Sequence, residues 1–130
     1  MKMEHAGITV SDPAAFTDWY CRHLSFRVVR QMTTSPFTTF IADGSGSVML
    51  EIYRHPNMQL LDYPNQDPLL LHMAFEVGEE PIEAVAQRLL AAGASVYKEL
   101  VVTPSGDQLI MLRDPWGLAI QLVHRTPALI

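Results

Sequence analysis

The 130 residues suffice for one domain with a real core and fall short of a second independent one. A net charge of −5 argues against a nucleic-acid or anionic-membrane partner, either of which selects a basic face. No apolar run approaches the roughly 20 residues of a membrane span, no signal-peptide core opens the chain, and a single cysteine, Cys21, excludes an intrachain disulfide. A cytoplasmic location is expected.

Residues 3–10 alternate, with Ala6, Ile8 and Val10 on one face and Met3, His5, Gly7 and Thr9 on the other, the pattern of a strand covered on one side. Ser11-Asp12-Pro13 then starts a helix. Its proline pushes Asp12 out of helical geometry, where the carboxylate can cap, and Pro13 suits the first helical position. Phe16, Trp19, Tyr20 and Leu24 recur at helical spacing as a core stripe, and the helix should end near Leu24-Ser25. Cys21 on this helix should be half-buried and inert.

Strands are predicted at 26–32, 37–42 and 48–53, with Asp43-Gly44-Ser45-Gly46 as a hairpin signal between the last two. Residues 55–68, with three prolines and little periodicity, read as a connector. The pattern then restarts. Residues 70–77 alternate, Pro81 opens a helix with Ile82, Val85, Leu89 and Leu90 as its stripe, and strands follow at 95–101, 108–113 and 118–124.

Strand–helix–strand–strand–strand therefore occurs twice within a single domain, as a module at about 1–54 and another at about 69–130. Equivalent positions carry equivalent chemistry. His5 and His72 fall in the first strands, 67 residues apart, and Glu51 and Gln121 in the last strands, 70 apart. Alternation puts Val48, Leu50 and Ile52 beneath a helix and Met49, Glu51 and Tyr53 opposite. Likewise Leu71, Met73, Phe75 and Val77 lie beneath a helix, with His72, Ala74 and Glu76 opposite. In the last strand Leu118, Ile120 and Leu122 take the helix side and leave Ala119, Gln121 and Val123 on the other.

A pseudo-two-fold axis would bring the four donors together. Two imidazoles, a carboxylate and an amide oxygen suit a divalent ion such as Zn, Ni, Co, Mn or Fe, able to polarise a substrate oxygen. Taken singly, each has an ordinary role: a surface histidine, a salt-bridged glutamate, a histidine bonded to a backbone carbonyl, a solvated glutamine. Only their joint placement points to a metal. Glu76 is a candidate partner for a ligand or an ordinary charged strand residue; His55, His23 and His124 read as surface residues.

Several stretches resemble the vicinal-oxygen-chelate superfamily, which includes glyoxalases, bleomycin-resistance proteins and dioxygenases. Trp19-Tyr20-Cys21-Arg22-His23-Leu24-Ser25-Phe26 is similar to the stretch closing its first helix. Arg113-Asp114-Pro115-Trp116-Gly117 is similar to the turn before its last strand, Leu71-His72-Met73-Ala74-Phe75 to the opening of its second module, and Ala91-Ala92-Gly93-Ala94 to the end of the second helix.

The resemblance implies an α+β fold in which two βαβββ modules form a curved, eight-stranded mixed sheet, a funnel with an ion at its bottom. It implies His5, Glu51, His72 and Gln121 as metal ligands and a homodimer, with the site within one chain or across the pair. Tyr53, Met49, Met111 and Arg113 are expected to line the funnel as substrate-binding residues, Arg113 either holding an anion or forming a salt bridge with Asp114 or a neighbour.

Two residues depart from the pattern. Ser25 replaces a glycine, and Gln121 replaces a glutamate that moves the substrate proton in glyoxalase-I-like members. An amide cannot act as a base, which leaves Glu51 as the catalytic residue. The expected function is a metal-dependent, glyoxalase-like lyase or isomerase acting on a small oxygenated substrate. The alternatives are a metal-free protein that binds an antibiotic or other aromatic compound, and an Fe(II) dioxygenase using His5, His72 and Glu51.

Overall fold

A computed structural model describes residues 1–47 and 49–129; Val48, expected at the head of a strand, and Ile130 lie outside the described residues. The chain divides into two units, Met1–Leu61 and Asp62–Ile130.

The first unit runs β1 (Ala6–Thr9), α1 (Pro13–His23), β2 (Arg27–Gln31), β3 (Thr39–Ala42) and β4 (Met49–Tyr53). Its sheet has the order β1-β4-β3-β2, with β1 parallel to β4 and the other pairs antiparallel. Asp12 caps α1 as expected: the Ala15 amide donates to its Oδ1 at 3.0 Å, and Pro13 opens the first turn. Phe16 and Tyr20, both fully buried, stack at 4.1 Å between ring centroids, and Ile41, Leu50 and Ile52 of the sheet are buried with them. Burial of each such side chain stabilises the unit by roughly 1.5–3 kcal/mol.

The second unit repeats the order as β5 (Met73–Glu76), α2 (Ile82–Ala91), β6 (Ser95–Val102), β7 (Gln108–Arg113) and β8 (Ala119–His124), with the sheet order β5-β8-β7-β6. Again the first and last strands are parallel and the rest antiparallel. Ile82 and Leu89 of α2 are buried along with Leu112, Ile120 and Leu122. The architecture is α+β, two βαβββ modules, each with its own mixed four-stranded sheet. No helix among the described residues is long and apolar enough to cross a membrane.

The structure corrects three expectations. The opening strands are shorter than alternation suggested, so that His5 and His72 stand just before β1 and β5 rather than within them. Leu71, expected beneath a helix, is 42% exposed. A turn causes this: the Leu70 amide donates to Asp67 O and the Leu69 amide to Asp67 Oδ1, so the chain is still reversing direction where the strand was expected.

The end of the connector is also more than a linker. Tyr63 heads a short 3-10 turn (Tyr63–Asn65) and is buried. The Arg113 guanidinium pins this segment, Nη1 donating to Tyr63 O and Gly117 O and Nη2 to Gln66 O, each at 2.8 Å. Three backbone carbonyls thus engage both terminal nitrogens of the guanidinium. Tyr97 covers it, with the guanidinium carbon 5.0 Å from the ring centroid.

Candidate metal and substrate site

In the first unit, Glu51 lies on the sheet face opposite the helix. The register settles this, since Leu50 and Ile52 are buried under α1 while Glu51 pairs with Gly7 on one side and Phe40 on the other. His5, two residues before Gly7, reaches the same face. Its Nε2 is 3.4 Å from Glu51 Oε2, its Nδ1–H donates to Glu4 Oε2 at 2.6 Å, and its ring stands edge-on to Phe40 at 5.5 Å between centroids. Gly7 is closely approached by the Tyr53 and Glu51 side chains. A Cβ there would lie 3.3 Å from Tyr53 Cε1 and 3.5 Å from Glu51 Oε2. Tyr53 and Met49 are half-buried, flanking Glu51 in alternation. The Tyr53 ring meets His55 edge-on at 5.4 Å.

The second unit builds the same rung from different letters. Gln121 on β8 pairs with Ala74 on β5 and Met111 on β7, as Glu51 pairs with Gly7 and Phe40. His72 precedes Ala74 by two residues, just as His5 precedes Gly7. Gln121 is half-buried and Met111 is buried. The His72 Nδ1–H donates to Pro68 O at 2.8 Å. A carbonyl only accepts, so Nδ1 carries the hydrogen, and Nε2 is the ring nitrogen left to meet a ligand. Glu76 faces Val123 one rung beyond Gln121, and both line a cavity of about 210 Å³ that Arg125 and Leu129 also border.

These donors fit a divalent ion in chemistry. Each imidazole has Nδ1 tied to an oxygen acceptor, the arrangement that fixes the tautomer and presents Nε2 to a metal. Two ligands bound at about 2.1 Å with a near-tetrahedral angle stand about 3.4 Å apart, matching the His5–Glu51 separation. Among the described residues, no group of three or more His, Cys, Asp or Glu side chains is gathered as an ion requires. His5 thus lies beside Glu51 in the first unit, and His72 and Gln121 occupy the corresponding register positions in the second.

The family model for the Glyoxalase/Bleomycin resistance protein/Dioxygenase superfamily matches residues 2–122. The chain belongs to this superfamily. Among curated proteins none matches it. Solved structures similar to this superfamily member include a glyoxalase family protein from Enterococcus faecalis, 27% identical, with a TM-score of 0.68 over 94% of this chain and 96% of that one. A glyoxalase family protein from Bacillus cereus is 16% identical, with a TM-score of 0.81 over 95% and 93%. The genomically encoded fosfomycin resistance protein FosX from Listeria monocytogenes is 17% identical, with a TM-score of 0.72 over 96% and 93%. The last two likenesses establish the fold alone.

Sequence reasoning missed the partners of the histidines. Glu4 carried one available signal, a carboxylate adjacent in sequence to a candidate ligand. Pro68 carried none, because its carbonyl reaches His72 through a turn that periodicity does not register.

Proposed function

We propose that this superfamily member is a metal-dependent, glyoxalase-like enzyme of lyase or isomerase type that acts on a small oxygenated substrate. His5, Glu51, His72 and Gln121 would hold the ion, in a protein that works as a homodimer. The observation that carries this reading is the matched rung. The same register puts His5 beside Glu51 in one unit and His72 two residues from the Ala74–Gln121 pair in the other.

A bound divalent ion supplies Lewis acidity toward a carbonyl or hydroxyl oxygen of the substrate. The chain's own residues do the rest. Gln121 supplies a neutral oxygen and cannot take a proton, so Glu51 is the base that removes one from the substrate carbon. Tyr53 and Met49, on either side of Glu51, orient the substrate. Met111, paired with Gln121 across β7 and β8, lies beside it and lines the same face for substrate.

Elemental analysis of tag-free protein tests this reading. Stoichiometric metal in the wild type, lost in both Glu51→Ala and His72→Ala, is the expected result. Equal, negligible metal in all three proteins overturns it in favour of a metal-free small-molecule-binding protein. That reading draws on the absence of three gathered donors among the described residues.

A further inference from the structure

The first unit holds a cavity of about 460 Å³ on the opposite face of its sheet from Glu51, at the end where β1 and β4 leave the sheet. Its walls include Asp12 at the start of α1, Gln31 and Thr39 of the paired β2 and β3, Met32 and Phe37 of the loop between those strands, and Arg54 just after β4. This volume is within the range of small-molecule sites.

Two features of the wall bear on what it could hold. Phe37 is held at φ +60°, a conformation an aromatic L-residue rarely adopts, with its ring 46% exposed. The surrounding backbone imposes this geometry. The Phe37 amide donates to Thr34 O at 2.7 Å, Thr39 Oγ1 donates to Phe37 O at 3.2 Å, and the Arg54 amide donates to Pro36 O at 2.8 Å. Strain that the surroundings over-determine is characteristic of ligand clamps.

The second feature is Arg54. Its Nη1 donates to His55 O at 2.9 Å and Met58 O at 2.6 Å, which fixes the guanidinium. Among the described residues, Nε and Nη2 have no partner, nor does any carboxylate pair with Arg54. Nε–H and Nη2–H form the side-on fork that matches the two oxygens of a carboxylate. Asp12, on the same wall, uses Oδ1 to cap the Ala15 amide. Its negative charge favours a monoanion over a multiply charged ligand such as a phosphate ester.

We infer that this cavity is a second small-molecule site, specific for a compact aromatic monocarboxylate. Arg54 takes the carboxylate through its Nε/Nη2 fork, and Phe37 and Met32 cover the ring. The site is separate from the His5–Glu51 face and does not depend on a metal.

Titration of the full chain with phenylacetate, followed by amide chemical shifts and calorimetry, tests the inference. The expected result is saturable binding with shifts centred on residues 31–39 and 54. Phenylacetamide, the neutral near-isostere, should bind at least tenfold more weakly to the wild type, a comparison that needs no variant. Arg54→Gln should weaken phenylacetate binding tenfold or more and Phe37→Ala severalfold, while Glu51→Ala leaves it unchanged. Absence of saturation, equal affinity for the amide, or loss of binding in Glu51→Ala would each overturn the assignment.

Discussion

His5 presents Nε2 to Glu51 at 3.4 Å while Nδ1 is held by the Glu4 carboxylate at 2.6 Å. Two consecutive links, carboxylate to imidazole to carboxylate, thus run across the exposed end of β1. An outer carboxylate that orients a ligating histidine raises its basicity, and its removal typically weakens metal affinity by 10–100-fold. Glu4 is largely exposed, which places the effect at the low end. Glu4→Ala should weaken the affinity of the proposed site for Zn(II) or Co(II) by about tenfold and leave the thermal midpoint unchanged. Competition with a chromophoric chelator measures the affinity, and calorimetry measures the midpoint. An unchanged affinity would reduce Glu4 to a surface neighbour.

Among the glycines of the second unit, Gly117 is the one packed most tightly, against Pro64. At Gly117, φ is +87°, and an added Cβ would lie 2.4 Å from Pro64 Cγ and 2.7 Å from both Cδ and the backbone nitrogen. No rotamer relieves a clash with ring and backbone atoms. Gly117→Ala must therefore push the 3-10 turn off Arg113, combining positive-φ strain with overpacking at a cost of about 2–4 kcal/mol. Urea denaturation measures the loss. Pro64→Ala in the same chain removes the ring atoms and should recover part of it, leaving the cost due to φ.

The face assignments were legible because strand alternation has a fixed period and one side of each sheet is packed under a helix. Leu50 and Ile52 could only go inward, which forced Glu51 outward, and the same logic placed Gln121 opposite Ile120 and Leu122. Capping chemistry at Asp12 was equally local and equally legible.

What the sequence concealed was set by contacts distant along the chain. The carbonyl partners of Arg113, Tyr63 and Gln66, escaped notice because they sit about 50 residues earlier in a segment without periodicity. Leu71 looked like a core residue because its apolar side chain continued an alternation that the Asp67–Leu70 turn had not yet allowed to begin. Its exposure is one cost of the turn that brings Pro68 O to His72.

Ser25 closes α1 at φ +58°, in the left-handed region where glycine is unstrained. Its side chain is exposed and forms no hydrogen bond among the described residues. Ser25→Gly should relieve that strain, partly offset by the greater freedom of glycine in the unfolded chain, for a net gain of about 0.5 kcal/mol. The midpoint of urea unfolding reads it out. A loss of stability would mean that the hydroxyl has a role the conformation does not reveal.

Cys21 offers a test of pH dependence. Burial pushes its thiol up from the ordinary cysteine range, and the neighbouring Asp18 carboxylate adds to the rise. The folded state therefore holds the thiol proton more tightly than the unfolded chain does. This contribution to stability is complete below the unfolded pKa and disappears as pH rises through the folded one. Alkylation proceeds through the thiolate. Iodoacetamide at pH 8 should thus label Cys21 more slowly in the native protein than in urea, and the rate should climb at a higher pH in the native state. Asp18→Asn removes the secondary cause, and with it the ion pair to Arg22 at 2.9 Å, so it should shift the native profile slightly toward lower pH. Burial, the larger cause, remains. Native and unfolded profiles that coincide would show that the helix leaves this thiol as solvated as in a free peptide.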